Sequence, residues 1–250
     1  MAGPDPQEAP LSPSGMGVPL VETAPRRRQA SVRLLSEPQV SRLSLYRRQL
    51  QALPLDSPPT IHSHTLAALC GTSAAHVRRD LMTIGFAGSP VRGYDVEQLI
   101  GAIGRQLDAP EGQRAVLVGV GQLGRALLNY FTTRRPHLRL VAAFDIDPEK
   151  TGRVIHGCRV WPLAELGEVV REQGITVGVL TVPAEAAQEV ADRMVEAGIA
   201  GFLNFAPVPL RLPARTFVEE MDITTSMERA AYFARALVGG GRRKDEQRAG

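Results

Sequence analysis

The alternation of hydrophobic and polar positions divides this chain into two unlike parts. Between residues 40 and 107, apolar side chains recur at helical spacing in short runs that glycine or proline separates. From residue 115 onward, continuous apolar runs such as Val177–Val182 alternate with amphipathic stretches, which is typical of strands buried on both faces of a parallel sheet. The pattern therefore predicts a helical first domain followed by an α/β domain with a doubly wound parallel sheet.

The elements of each part can be placed from the same pattern. In the first part, helices are predicted near residues 40–53, 64–69, 74–84 and 94–107, with Ser63 and Ser73 as N-caps. In the second part, the predicted strands are 115–118, 139–145, 159–161, 177–182, 201–205 and 216–221, and the predicted helices lie near 122–131, 163–171 and 185–197.

The segments at either end have a different composition. Residues 1–38 are rich in proline and glycine and show no sustained periodicity, which predicts a disordered extension. The sheet domain is expected at 113–221, after a linker rich in proline and glycine. A terminal helix is expected at 222–238, ended by Gly239–Gly241, and a basic tail at 239–250.

Composition narrows the class of protein only slightly. The chain has 250 residues, of which 44% are hydrophobic and 22% charged, as in ordinary globular proteins. No apolar run approaches the roughly 20 residues that span a bilayer, and the N-terminus does not resemble a signal peptide, so we expect a cytoplasmic protein with no membrane partner. Cys70 and Cys158 are far apart in the sequence, which predicts free thiols and no metal site. The net charge of +3 does not by itself indicate a nucleic-acid partner.

The first part contains a helix-turn-helix pattern. Two predicted helices are joined by Gly71-Thr72, and the second would present its N-terminal residues to base edges in the major groove of DNA. The glycine- and proline-rich segment 85–93 would form a wing, so a winged helix-turn-helix domain is predicted at 39–108. Candidate DNA contacts are Arg42, Arg47, Ser73, Ala75, His76, Arg78, Arg79 and Arg92. The alternative is that Arg78 and Arg79 belong to an ordinary solvated face.

A glycine-rich loop follows the first strand of the second part. Gly119, Gly121 and Gly124 have the spacing of a dinucleotide-binding loop, and a helix-compatible run follows them. Asp145 ends the next predicted strand, 21 residues beyond Gly124, where such sites carry a ribose-binding acid. Its carboxylate would repel a 2′-phosphate, so we predict NAD(H) rather than NADP(H). The alternative is an ordinary turn rich in glycine.

Residues for enzymatic chemistry are scarce. A dehydrogenase needs a proton-transfer group near the nicotinamide, such as an oriented histidine or a Tyr-x-x-x-Lys pair. Tyr232 is followed four positions later by Ala236, and His137 and His156 lie in loop-like sequence without an obvious carboxylate partner. We therefore predict no catalytic residues.

The terminal helix carries an apolar stripe that includes Ile223, Met227 and Leu237. Thr225 and Glu228 have the spacing of a capping box at its start. The helix could pack on its own domain or on a second subunit. Because half-site recognition of DNA favours a two-fold dimer, the subunit contact is preferred.

With both modules placed, the chain closely resembles the Rex family of bacterial redox-sensing transcriptional repressors. The resemblance is carried, in order along the chain, by Ser41–Leu43, Ser73–Leu81, Gly119–Gly124, Phe144–Pro148, Leu180–Ala187, Ala197–Ile199 and Leu203–Pro207. The wing departs from the family pattern, because Ser89-Pro90-Val91 stands where relatives often carry a basic residue followed by Arg-Gly.

The resemblance implies a homodimer that binds double-stranded operator DNA and leaves it when NADH binds, with NAD+ as the competing cofactor form. It implies that the subunits swap their C-terminal helices, each reaching the nucleotide domain of the other subunit, and that Tyr130 and Asp222 meet across subunits in one of the two states. We hypothesise that Phe205, beside the loop Thr181-Val182-Pro183, helps to exclude the cationic ring of NAD+. The expected cofactor-binding residues are Gly119, Val120, Gly121, Gln122, Leu123, Gly124, Asp145, Thr181, Val182, Pro183, Asn204 and Phe205. The alternative function is an NAD- or CoA-binding oxidoreductase or ligase-like subunit without DNA binding.

Overall fold

A computed structural model describes residues 34–134 and 138–246. Most of the predicted extension, His137 and the last four residues of the basic tail lie outside the described residues. The first helix, α1, spans Glu37–Gln51 and so begins inside the segment that was predicted to be disordered. Its start is stabilised locally, because the Gln39 side chain accepts a hydrogen bond of 3.1 Å from the backbone N–H of Ser36. The prediction of disorder is therefore wrong for Glu37 and Pro38.

The first domain contains four helices and one small antiparallel ribbon. After α1 come β1 (Thr60–Ile61), α2 (Ser63–Cys70), α3 (Ala74–Thr83), β2 (Tyr94–Asp95) and α4 (Val96–Leu107). The pairing of β1 with β2 was not predicted, because a two-residue strand is too short to show alternation. The predicted cap at Ser63 is wrong: Ser63 is the first helical residue and His62 takes the N-cap position.

The helices of this domain enclose a core of their own. Leu43 and Tyr46 of α1, Val77 of α3 and Leu99 of α4 are fully buried within it. Gly71 ends α2 in the left-handed conformation, with φ of 61°, as the predicted turn requires. The Ser73 hydroxyl accepts a hydrogen bond from the His76 N–H at 3.2 Å, which confirms Ser73 as the cap of α3.

The second domain is a seven-stranded sheet with helices on its faces. Its elements are β3 (Gln113–Val118), α5 (Gln122–Arg134), β4 (Leu138–Asp145), β5 (Val154–Ile155), β6 (Cys158–Pro162), a 3₁₀ turn (Leu163–Glu165), α6 (Leu166–Glu172), β7 (Val177–Leu180), α7 (Ala184–Ala197), β8 (Gly201–Asn204) and β9 (Phe217–Glu220). The strand order is β5-β6-β4-β3-β7-β8-β9, and every pairing except that of β5 with β6 is parallel.

This order is that of a doubly wound sheet: after β3 the strands are added toward one edge, and from β7 onward they are added toward the other, so the switch point lies between β3 and β7. The predicted fold class is therefore confirmed. The carboxyl ends of β3, β4, β7 and β8 lie at one edge of the sheet, where folds of this kind bind ligands. Among the strands of this seven-stranded sheet, the short edge strand β5 is the one that was not predicted.

The last helix, α8, spans Ile223–Glu246 and is longer than predicted. It continues through Gly239–Gly241, which were expected to end it, so that expectation is wrong. Glycine lowers helix stability by about 1 kcal/mol relative to alanine but does not stop a helix unless the chain turns there. The predicted capping box at Thr225 is also wrong, because Asp222 caps the helix by accepting a hydrogen bond from the Thr225 N–H at 2.9 Å.

Candidate functional site

The three glycines of the loop after β3 have different surroundings. Gly119 has φ of 100°, and a Cβ atom there would lie 2.7 Å from the carbonyl oxygen of Thr181. A Cβ atom on Gly124 would overlap the carbonyl oxygen of Gly119. At Gly121, by contrast, a Cβ atom would meet nothing within 4 Å. Gly119 and Gly124 are therefore required by packing, whereas the space beside Gly121 is open to a ligand.

The start of α5 completes this loop. Val120 is fully buried, and Gln122 and Leu123, the first residues of the helix, are exposed. The first backbone N–H groups of a helix lack partners within it, and the helix dipole places partial positive charge there. The fold thus places an anion-binding helix start next to the open side of Gly121.

Thr181 at the end of β7 fixes the position of the glycine turn. Its hydroxyl lies 3.0 Å from the carbonyl oxygen of Val118 and 2.7 Å from that of Gly119, and its single proton is shared between these two acceptors. Val182 packs against the same glycine, and Pro183 occupies the N-cap position of α7. The structure therefore brings the predicted segment Thr181-Val182-Pro183 against the glycine loop.

Asp145 ends β4 beside the same loop and is 7% exposed. Its Oδ2 atom accepts a hydrogen bond from the Val120 N–H at 2.7 Å, and its Oδ1 atom accepts one from the Asp147 N–H at 2.9 Å. The Lys150 ammonium, absent from the sequence-based list, lies 3.3 Å from Asp145 and 3.4 Å from Asp147. Burial alone would lower the pKa of Lys150, but these ion pairs raise it.

Asn204 and Phe205 lie at the end of β8. The Asn204 amide is buried, donates to Glu220 at 2.6 Å and to the Val208 carbonyl at 2.9 Å, and accepts from the Ala206 N–H at 3.0 Å. Its contacts organise the loop that follows β8. Phe205 is half-buried and packs on the cluster that contains Leu117 and Val120. Of these two predicted residues, Phe205 has the apolar surroundings that a nicotinamide pocket needs.

The first domain exposes one face of α3. Ser73, Ala75, His76, Arg78 and Arg79 are exposed, whereas the side chains of the opposite face are buried. The Arg78 guanidinium donates to the Ser63 hydroxyl at 3.1 Å, which fixes it near the start of α2. The predicted recognition residues therefore share one solvent-facing surface at the N-terminal end of α3.

Two of the predicted DNA contacts have other partners. Arg42 forms a bidentate ion pair with Asp80 of α3, at 2.6 and 2.7 Å. Arg47 pairs with Asp108, which follows α4, at 2.7 Å. Both guanidinium groups are thus held by carboxylates of their own domain. Their contact with phosphates stays a prediction. The sequence showed the arginines but did not indicate Asp80, since a carboxylate on a recognition helix is usually solvated.

The wing is a tight hairpin turn. Ser89 and Gly93 exchange two backbone hydrogen bonds of 2.8 Å, and the Ser89 hydroxyl accepts from the N–H groups of Val91 and Arg92. The turn exposes Val91 and Arg92. Arg92 is therefore exposed, although the family pattern is displaced here, and its contact with DNA stays a prediction.

Tyr130 and Asp222, which the resemblance expects to meet across subunits, lie on different elements of one chain: Tyr130 is in α5, and Asp222 precedes α8. Tyr130 is 42% exposed and lines a cleft of about 910 Å³ between α1, α4 and the end of α5. Asp222 is exposed, and hydrogen bonds from Thr225 lower the pKa of its carboxyl. Every described side chain from Ile223 to Leu237 is also exposed.

The described residues contain neither a membrane-spanning helix nor a metal-binding cluster. In residues 34–134 and 138–246, no helix is long and apolar enough to cross a membrane. No group of three or more histidine, cysteine, aspartate or glutamate side chains within the same ranges has the geometry to hold a metal ion.

Family models match both parts of the chain. Residues 35–81 match the model of a putative DNA-binding protein N-terminus, and residues 111–208 match the model of a CoA-binding domain. These two matches coincide with the helix-turn-helix and with the doubly wound sheet. The fold and site thus define a protein that joins a helix-turn-helix module to a nucleotide-binding domain.

Curated relatives and solved structures identify the family. The redox-sensing transcriptional repressor Rex of Streptomyces coelicolor is 38% identical over 82% of this chain and 80% of its own length. That of Rhodopirellula baltica is 42% identical over 79% of this chain and 84% of its own length. RSP, a Rex-family repressor, is 28% identical to this chain. The structural match covers 99% of the RSP chain in each of two complexes. The complex with NAD+ and operator DNA covers 86% of this chain with a TM-score of 0.74, and the complex with NADH covers 84% with a TM-score of 0.73. The chain belongs to the Rex family of redox-sensing transcriptional repressors.

Proposed function

We propose that this protein is a redox-sensing transcriptional repressor that binds operator DNA as a homodimer and releases it when NADH binds. The observation that carries the proposal is the combination, in one chain, of an exposed recognition-helix face on α3 with an open glycine loop at the switch point of a doubly wound sheet. RSP has been solved with both kinds of ligand that these two sites would take.

The residues at the sheet edge fit a dinucleotide. The open side of Gly121 and the start of α5 would hold the pyrophosphate, and Asp145 would accept a ribose hydroxyl. The nicotinamide would supply the redox state that is sensed. Phe205 would favour the neutral ring of NADH over the cationic ring of NAD+, because a charge is costly to bury among apolar side chains. If Phe205→Ala leaves the ratio of NADH to NAD+ affinities unchanged, this role is wrong.

The DNA surface would be built from α3 and the wing. Ala75, His76 and Arg79 would enter the major groove, and Arg92 would reach the backbone from the wing. Arg42 and Arg47 would act indirectly, by keeping α3 and the end of α4 in place.

The exposed apolar side chains of α8 support the dimer. Ile223, Met227, Phe233 and Leu237 are each more than half exposed. A contiguous apolar face of this kind on a soluble domain marks an interaction surface. Because operator half-sites are related by two-fold symmetry, a second copy of the chain is the partner that such a face would cover. In the dimer, Asp222 and Tyr130 of different subunits would then be able to meet.

Binding energy rather than chemistry would connect the two sites. NADH can displace DNA only to the extent that it prefers the conformation that does not bind DNA. A hundredfold loss of DNA affinity corresponds to a coupling free energy of about 2.7 kcal/mol, which lies in the usual allosteric range. The relatives are named as repressors, and we propose that this chain likewise has no enzymatic activity and acts in the cytoplasm.

A gel-shift titration tests the proposal directly. The full-length protein is incubated with DNA from a candidate promoter, and NADH or NAD+ is added at increasing concentration. We expect binding without NADH, its loss as NADH rises, and protection against that loss by NAD+. If DNA affinity does not change with NADH concentration, the proposal that the protein senses NADH is wrong. If no DNA binds even at low salt, an NAD- or CoA-binding subunit is favoured instead.

A further inference from the structure

The turn after β4 returns the chain to the end of its own strand. The Glu149 N–H donates to the Asp147 carboxylate at 2.9 Å, and the Lys150 N–H donates to the Asp147 carbonyl at 3.0 Å. This turn brings the ammonium group of Lys150 within 3.3 Å of Asp145 and within 3.4 Å of Asp147. One cation therefore lies between two carboxylates at the position where a doubly wound fold binds the adenosine ribose.

The hydrogen-bonding capacity of Asp145 is mostly used within the chain. A carboxylate offers about four acceptor positions. At Asp145, the N–H groups of Val120 and Asp147 and the Lys150 ammonium take three of them. About one acceptor position is left for a ribose hydroxyl.

Lys150 has a donor left over. An ammonium group has three N–H donors, and in this chain two of them are directed to Asp145 and Asp147. The side chain of Lys150 is 26% exposed, so its ammonium is accessible from solvent. The subsite therefore offers one acceptor, from Asp145, beside one charged donor, from Lys150.

The net charge at this edge of the sheet depends on Lys150. With Lys150, the two carboxylates and the ammonium sum to about one negative charge, and without it they sum to about two. A 2′-phosphate carries between one and two negative charges near neutral pH, whereas a 2′-hydroxyl carries none. Removing the ammonium should therefore penalise the phosphorylated cofactor much more than the unphosphorylated one.

We propose that Lys150 is a specificity-determining residue of the cofactor site, which donates to a 2′-phosphate and thereby limits how strongly Asp145 excludes NADP(H). The inference deepens the proposed function and rests on it. The protein would still prefer NADH, since Asp145 remains an acceptor for the ribose hydroxyl. Its discrimination against NADPH would depend on one side chain outside the glycine loop.

Fluorescence titration of the full-length protein with NADH and with NADPH tests this role. For Lys150→Met, we expect the dissociation constant for NADPH to rise at least tenfold and that for NADH to change less than threefold. Lys150→Arg should restore NADPH binding, because it keeps the charge and the donors. Arg193→Met, which removes an exposed cation from α7, is the matched control and should change neither constant.

Each contrary result has a distinct meaning. Equal losses for NADH and NADPH in Lys150→Met would show that Lys150 only holds the turn, which would overturn the proposal. No change in either dissociation constant, or wild-type NADPH binding too weak to measure, would overturn it as well while leaving the NADH sensor intact. Failure of the wild-type protein to bind NADH would instead overturn the proposed function and this inference with it.

Discussion

Arg42 on α1 and Asp80 on α3 form a bidentate ion pair, with nitrogen–oxygen distances of 2.6 and 2.7 Å, although 38 residues separate them. The Asp80 side chain is 1% exposed and also accepts a hydrogen bond of 3.0 Å from the Tyr46 hydroxyl. Because Asp80 belongs to the helix that presents Arg79, this cluster sets the position of the recognition face relative to α1.

Asp80→Asn should destabilise the first domain by about 2–3 kcal/mol. The substitution leaves the Arg42 guanidinium without its charge partner, and loss of one member of a buried pair costs about 3–5 kcal/mol. The partial exposure of Arg42 reduces that cost. Urea denaturation followed by circular dichroism measures the change. Asp56→Asn, in an exposed loop, is the control and should stay within about 0.5 kcal/mol of the wild type.

The same cluster predicts how the domain responds to pH. Burial alone would raise the pKa of Asp80, but hydrogen bonds from Arg42 and Tyr46 outweigh it and lower the pKa. Its contribution to stability is therefore present above the ordinary carboxyl pKa of about 3.9 and is lost as pH falls through the lower folded value. Burial, followed by the bond to Asp80, raises the pKa of Tyr46. Its contribution is complete below the ordinary tyrosine value of about 10 and declines as pH rises above it.

Tyr46→Phe separates these two contributions. We expect it to cost about 1 kcal/mol at neutral pH through the lost hydrogen bond, and to flatten the decline of stability above pH 10. Thermal unfolding between pH 3 and pH 11 provides the measurement. If the stability of the variant declines above pH 10 as steeply as that of the wild type, the decline does not come from the titration of Tyr46.

Gly121→Ala should weaken cofactor binding, whereas Gly124→Ala should lower the stability of the folded protein. A methyl group at Gly121 meets nothing in the protein, so the variant should fold normally and yet lose NADH affinity at least tenfold, since the methyl would occupy the space beside the pyrophosphate. At Gly124 the methyl would overlap the Gly119 carbonyl, so stability itself should fall. Paired denaturation and NADH titrations measure both effects. Wild-type NADH affinity in Gly121→Ala would contradict the assignment of this loop.

Arg79→Ala should weaken operator binding without affecting folding, because its side chain is exposed. If Arg79 reads a base, the loss should be about 1–3 kcal/mol and specific to one base pair. If Arg79 contacts a phosphate, the plot of the logarithm of the binding constant against the logarithm of salt concentration should become less steep by about one unit for each half-site. Gel shifts at several salt concentrations distinguish these outcomes, with Arg193→Ala on α7 as the control. An affinity within twofold of the wild type would remove Arg79 from the interface.

The double variant Met227→Glu/Phe233→Glu should convert the protein to a monomer. Both side chains are exposed on α8 in the single chain, and charged groups cannot be buried in an apolar interface without large cost. Light scattering coupled to size-exclusion chromatography gives the mass. Glu228→Ala, on the same helix, should remain dimeric. A dimeric double variant, or a monomeric wild type, would place the interface elsewhere or exclude it.

The sequence by itself determined the features that depend on local chemistry. The glycine spacing at 119–124, the cap at Ser73 and the apolar runs of the strands each report a backbone requirement that neighbouring residues impose. Such requirements act over a few residues, and they were sufficient to predict the two modules and the doubly wound sheet.

The tertiary structure decided what the charged and polar side chains do. Arg42 resembles a phosphate contact in the sequence, and only the packing of α1 against α3 brings it to Asp80. Asn204 organises its own loop, and Lys150 reaches the proposed ribose subsite only because a turn folds it back onto Asp145. A long flexible side chain has several potential partners along the chain, and its choice among them depends on distances that only the folded structure sets.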